Sequence, residues 1–100
     1  MLLILATATL GEGALEAGRE AMRTMIEASR AEAGCISYAY ALDVLDPNVM
    51  HITEKWRDEE AVAFHFATPH MADFREALAT FDLKITEIAK YQTNGGQPLG

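Results

Sequence analysis

Between Leu2 and Leu10 nearly every position is apolar or a threonine, and the run stops at Gly11-Glu12-Gly13. An apolar stretch of that length bounded by glycine predicts a strand buried on both faces and ending in a turn. From Ala14 the period changes. Leu15, Gly18, Met22, Met25, Ile26 and Ser29 recur at three- and four-residue intervals, while Glu16, Arg19, Glu20, Arg23, Glu27 and Arg30 fill the opposite side, as in a helix with one buried stripe. Gly34 is expected to end this helix in the left-handed conformation that a residue without Cβ adopts freely. From Cys35 to Leu42 the period becomes two, with Ile36, Tyr38, Tyr40 and Leu42 on one face and Cys35, Ser37, Ala39 and Ala41 on the other. Neither face carries a charge. Asp43 to Asn48, containing Asp46-Pro47-Asn48, reads as a turn. Val49 to Trp56 then alternates again, so these two strands form a hairpin.

Asp58 suits the cap of a helix whose first turn holds Glu59 and Glu60 and which runs through Phe66. Thr68 and Pro69 restart it, threonine as cap and proline as first helical residue, with Met71, Phe74 and Leu78 turned inward and a stop near Thr80. Leu83 to Tyr91 is the last strand. The order β-α-β-β-α-β predicts an α+β, ferredoxin-like split βαβ: a four-stranded antiparallel sheet with helices on one face. Residues 1–100 form one domain, with an ordered core over about 2–91 and a flexible tail over 92–100. The second strand has uncharged side chains on both faces, and a solvated sheet face normally carries polar residues. A second copy is therefore expected to cover the open face, giving a homodimer packed sheet to sheet.

Fifteen acidic against eight basic residues leave a net charge of −7, which argues against nucleic acid and anionic membrane surfaces as partners. The single cysteine, Cys35, forms no internal disulfide and points to a reducing compartment, the cytoplasm. The opening Met1-Leu2-Leu3-Ile4-Leu5 lacks a basic flank and reads as strand rather than secretion signal, and no stretch is long and apolar enough to span a membrane.

The residues that could carry chemistry cluster between Glu54 and His70. Ala33-Gly34-Cys35-Ile36-Ser37-Tyr38, the Asp46-Pro47 turn, Glu54-x-Trp56, Ala61-x-x-x-His65 and Thr68-Pro69-His70, in this order over residues 2–91, together resemble the antibiotic biosynthesis monooxygenase family, particularly its quinol-monooxygenase-like branch. The resemblance implies a dimeric α+β barrel with a pocket between sheet and helices for a flat, electron-rich aromatic. It also implies oxidation by dioxygen without a cofactor. A deprotonated hydroquinone is itself reducing enough to pass an electron to dioxygen, so the protein need only bind, deprotonate and shield it.

His65 is the first candidate for the base, since imidazole titrates nearest neutral pH. It serves equally as a structural helix histidine tied to a neighbouring strand. Glu54 could hold a histidine in one tautomer and is the second catalytic candidate. Trp56 as an apolar wall, His70 at the pocket mouth and Tyr38 as a stacking or hydroxyl contact are the substrate-binding candidates. Each has a plain packing role as well, as has Tyr40. His51 points away from Met50 and Ile52, toward solvent or a dimer interface. Cys35 has no neighbouring base to activate it. His65 and His70, five residues apart, would diverge by roughly 140° on one continuous helix, so the sequence offers no metal site. Gly11-x-Gly13 lacks the third glycine of a nucleotide loop.

The leading expectation is thus a monooxygenase acting on a hydroquinone or related phenol. The alternatives are a dimer that binds such a molecule without turning it over, and an isomerase of a small phosphorylated dicarbonyl, for which Lys84 or Lys90 would anchor the phosphate. A haem-degrading role ranks below these.

Overall fold

β1 (Leu2–Leu10) alternates strictly: Leu2, Ile4, Ala6, Ala8 and Leu10 are buried, while Leu5 and Thr9 face outward. The structure, a computed structural model, describes residues 1–100. Its other elements are α1 (Ala14–Arg30), β2 (Cys35–Leu42), β3 (Val49–Trp56), α2 (Glu59–Phe66), α3 (Pro69–Ala77) and β4 (Leu83–Gln92). The strands lie in the order β2-β3-β1-β4 with every neighbouring pair antiparallel, the ferredoxin-like arrangement, and the second helix is divided in two. β1 is central yet buried on one side only, in contrast to the two-sided burial expected. All the helices lie over one face, and nothing in a single chain covers the other.

Gly13, at φ 72°, takes the left-handed turn that delivers β1 into α1, whose buried stripe is Ala14, Gly18, Met22, Met25 and Ser29. The helix ends at Arg30 with Ala31 in right-handed geometry, so Gly34 is not the left-handed cap expected. Glycine is needed there for a different reason. A Cβ at position 34 would overlap the Ala61 side chain, so the α1–β2 turn lies directly against α2. Arg30 adds to this closure by donating its Nε–H to the Tyr38 carbonyl at 2.7 Å.

β2 departs from simple alternation. Its pairing with β3 passes from Cys35↔Trp56 to Ser37↔Lys55, so Ile36 is an extra residue in a β-bulge. The bulge reverses the facing of everything before it: Cys35 joins the core with Tyr38 and Tyr40, and Ile36 is left exposed. A second irregularity, at Thr86, places Ile85 opposite Ala8 and Ile88 opposite Ala6, both toward the helix layer. No helix closes over them, and they remain 47% and 59% exposed.

The core divides into a cluster around Leu2, Ile4, Met25, Tyr38 and Trp56, which α2 covers with Ala61 and Val62, and a second around Ala8, Met22, Met50 and Ile52. The N-caps of α2 and α3 are those expected. Asp58 accepts the Ala61 N–H at 2.8 Å, and Thr68 accepts that of Met71 at 3.3 Å with Pro69 opening α3. Beyond Gln92 the chain has no regular structure. Gly34→Ala is expected to cost about 1–3 kcal/mol by forcing α2 away from the turn. An unchanged urea unfolding midpoint would contradict this close approach.

Candidate functional site

The site begins with a broken helix. His65 lies in the last turn of α2, one turn after Ala61 and on the same inward face, with its ring 4.5 Å from that of Trp56 and 5.6 Å from that of Tyr38. The Thr68 hydroxyl donates to the His65 carbonyl at 2.7 Å, closing α2, while its oxygen also caps α3. Proline, with no N–H to continue the ladder, completes the break. The chain therefore turns between the histidines. The divergence expected of one continuous helix does not occur, and the His65 and His70 rings lie 6.0 Å apart.

Both converge on a residue the sequence did not single out. Glu32, in the turn after α1, has its Oε2 2.7 Å from His65 Nδ1 and 2.7 Å from His70 Nε2. An ionised carboxylate only accepts, so each imidazole presents an N–H to it. His65 thereby engages Glu32 through Nδ1, and Nε2 is the ring nitrogen left for another partner. Glu32, rather than Glu54, orients this histidine. The one local signal for it was an acidic residue between Ala31 and Ala33-Gly34, after the helical charge pattern has ended. Its partners lie 33 and 38 residues away, beyond the reach of any periodicity.

A cavity of about 150 Å³ lies between the sheet and α3, with an apolar wall that includes Phe74, Ile85 and Ile88. The polar groups from the sheet and α2 that line it are Tyr38, Tyr40, Glu54 and His65. The two tyrosine hydroxyls bond each other at 2.8 Å. Burial pushes the Tyr38 phenol far above its ordinary range and that of Tyr40 up to about 12, so both remain hydroxyls at neutral pH. Glu54 accepts the Trp56 indole N–H at 2.9 Å. Burial raises its carboxyl above the ordinary value, against the opposing pull of that bond and of His65.

Of the five residues expected at a site, Tyr38, Glu54 and His65 thus share the cavity. Trp56 is fully buried one layer behind, and His70 stands outside it against Glu32. His51 is exposed and bonded to Asp43 at 2.9 Å. Burial, then the nearby Glu32 and Glu54 carboxylates, push the Cys35 thiol up, away from a reactive thiolate. Lys90 pairs with Glu59 at 3.1 Å and Lys84 is exposed, and neither lines the cavity as a phosphate anchor would. The cation at its edge is Arg75, which donates to the Phe66 carbonyl at 3.0 Å.

Residues 1–77 match the family model described as antibiotic biosynthesis monooxygenase. The chain belongs to that family. It is 38% identical over 76 residues to "Uncharacterized protein sll1783" of Synechocystis sp., a match covering 71% of this chain and 52%, about half, of that protein's length. To "Putative monooxygenase YcnE" of Bacillus subtilis it is 34% identical over 73 residues, covering 68% and 77% of the two chains. Among solved structures, PA3566 from Pseudomonas aeruginosa superposes with a TM-score of 0.74 at 30% identity, covering 92% of this chain and 90% of that one. A Deinococcus radiodurans protein described as a "putative antibiotic biosynthesis monooxygenase" superposes with a TM-score of 0.88 over 100% and 99% of the two chains; at 23% identity this shows the shared fold. No helix of this family member is long and apolar enough to cross a membrane.

A carboxyl whose pKa rises on folding adds stability that is fully present below its unfolded-state pKa and lost as pH rises through the folded-state value. Glu54→Gln keeps an acceptor for the indole but cannot ionise. Its stability relative to the native chain is therefore expected to improve as pH rises above 4.5, the ordinary value for this group. Urea unfolding of both proteins from acidic to neutral pH measures the difference, and a pH-independent difference would show that Glu54 is not strained by its burial.

Proposed function

We propose that this protein is a cofactor-independent monooxygenase that oxidises a single-ring hydroquinone or related small phenol with dioxygen. The observation that carries the reading is the cavity: about 150 Å³, walled by apolar side chains and lined by His65, whose Nδ1 is bound to Glu32. A hollow of that volume has room for one benzene-sized ring. A ring of that kind fits between Phe74 and the Ile85–Ile88 strand.

In this reading His65 Nε2 takes the phenolic proton, and the proton already on Nδ1 is stabilised by the Glu32 carboxylate as the imidazolium forms. The Tyr38–Tyr40 pair and Glu54 hydrogen-bond the ring's oxygens. The phenolate gives electrons to dioxygen; one oxygen atom enters the ring, the other leaves as water, and the hydroquinone ends as a hydroxyquinone. All four electrons that reduce dioxygen come from the organic substrate, so no further reductant is needed. A positioned base contributes about 10² to 10⁴-fold.

The open sheet face supports a homodimer as the working form. Leu5 and Tyr91 are 41% and 49% exposed on that face, beside the small residues Ala39 and Ala41. Equilibrium sedimentation at micromolar concentration is expected to give the dimer mass, and a monomer would overturn this assembly.

Metal-stripped protein is expected to consume dioxygen with one-ring hydroquinones or catechols faster than they autoxidise, and His65→Gln is expected to lower kcat/KM by about 10² or more. No uptake above autoxidation, combined with ligand-dependent quenching of Trp56 fluorescence, would replace catalysis with simple binding. Unchanged kinetics in a folded His65→Gln variant would make this histidine structural.

A further inference from the structure

Two of the chain's three histidines meet at one carboxylate. The three side chains bring one ligand atom each to within 4.8 Å of one another, from three separate elements: the α1–β2 turn, α2 and α3. The Glu32 side chain is 5% exposed and that of His65 2% exposed. Glu32 places both histidine bonds on Oε2, and its Oε1 is buried with no hydrogen-bond partner. Buried carboxylate oxygens are normally satisfied. An unpaired one beside two convergent imidazoles marks a place short of positive charge.

We propose that Glu32, His65 and His70 form a binding site for one divalent first-row transition ion of the zinc type, taken by the Glu32 carboxylate, His65 Nδ1 and His70 Nε2. Two imidazole nitrogens and one carboxylate suit Zn²⁺, Co²⁺ or Fe²⁺ rather than the oxygen-seeking Ca²⁺ and Mg²⁺. Metal–ligand bonds of about 2.0–2.2 Å need ligand atoms about 2.8–3.1 Å apart at octahedral angles and about 3.3–3.6 Å apart at tetrahedral ones. The nitrogen–oxygen separations of 2.7 Å would therefore open by a fraction of an ångström. The second carboxylate oxygen, unpaired without the ion, is positioned to share it or to take a bound water. Entry is past His70, which at 19% side-chain exposure is the least buried of the three.

Glu32 and His70 are absent from the cavity wall, so the ion sits behind His65 and does not touch a ligand in the cavity. Its effect there is through the imidazole. A metal on Nδ1 displaces that proton, and the neutral ring carries its proton on Nε2 instead. His65 then donates into the cavity and no longer accepts. The ion is thus an inhibitor of the oxidation proposed above; this consequence rests on that reading, whereas the binding does not.

Calorimetric titration of the metal-free full chain with Zn²⁺ is expected to show one ion per chain. Glu32→Gln and His70→Ala should each weaken it at least tenfold, since even partners outside the ligand set cost about 10- to 100-fold in affinity. His51→Ala, at the exposed Asp43 pair, should leave it unchanged. His70→Ala is the milder change for folding, and circular dichroism verifies both variants. Nitrogen-15 histidine NMR should show the His65 proton move from Nδ1 to Nε2 as the ion binds. Absence of one-to-one binding at tens of micromolar Zn²⁺, or an affinity in the folded variants unchanged from that of the native chain, overturns the site. A site that binds with the tautomer unmoved overturns the inhibition. Since all these readings are made without substrate or dioxygen, failure of the oxygenase reading leaves them standing, and failure of the site leaves oxygen uptake to be judged by itself.

Discussion

The buried carboxylate of Glu32 is the interaction on which the organisation of this protein's interior depends. Burying a charge is costly unless it is paired and hydrogen-bonded. Here the pairing is with two imidazoles carried on separate helices, and one oxygen accepts from both. The α1–β2 turn, α2 and α3 are thereby tied at one point. The Gly34–Ala61 approach sets how near the turn comes to α2, and the Thr68-Pro69 break sets the angle from which α3 returns His70. The triad forms only where both coincide.

The same carboxylate gives His65 a defined chemical state. With Nδ1–H committed to Glu32, the ring has one free nitrogen, at the boundary between the packed Trp56 and Tyr38 rings and the cavity. Burial holds the two tyrosines as hydroxyls and raises the Glu54 carboxyl above its ordinary value. The cavity therefore combines a largely apolar wall with a small set of hydrogen-bonding groups. Its outer wall is thin. β4 carries Ile85 and Ile88 toward the helix layer, but the helices stop short of them, and the hollow exists because that strand has no helical cover.

Much of the fold was legible from side-chain period. The one-sided stripe of α1, the alternation of β3, the Asp58 and Thr68 caps and the βαββαβ order follow from rules that act over a few residues, and the structure shows them as read. The departures share one cause, a contact or pairing distant in sequence. Ile36 was assigned to the wrong face because a bulge depends on the partner strand. Gly34 was taken for a helix cap because the Ala61 side chain that requires it is 27 positions away in the sequence. β1 was expected to be covered twice because an apolar run states that a face avoids water without stating what covers it.

The sequence by itself determined the elements, their order, the family and three of the side chains that line the cavity as candidates, His65, Glu54 and Tyr38, since propensity, capping and short motifs are written in neighbouring residues. Tertiary structure alone decided which carboxylate holds His65, that His70 turns toward Glu32 and away from the cavity, and that Trp56 lies behind it. Those outcomes depend on angles between helices and on the depth at which a charge is buried. Both arise only when segments more than thirty residues apart pack together and exclude water from the space between them.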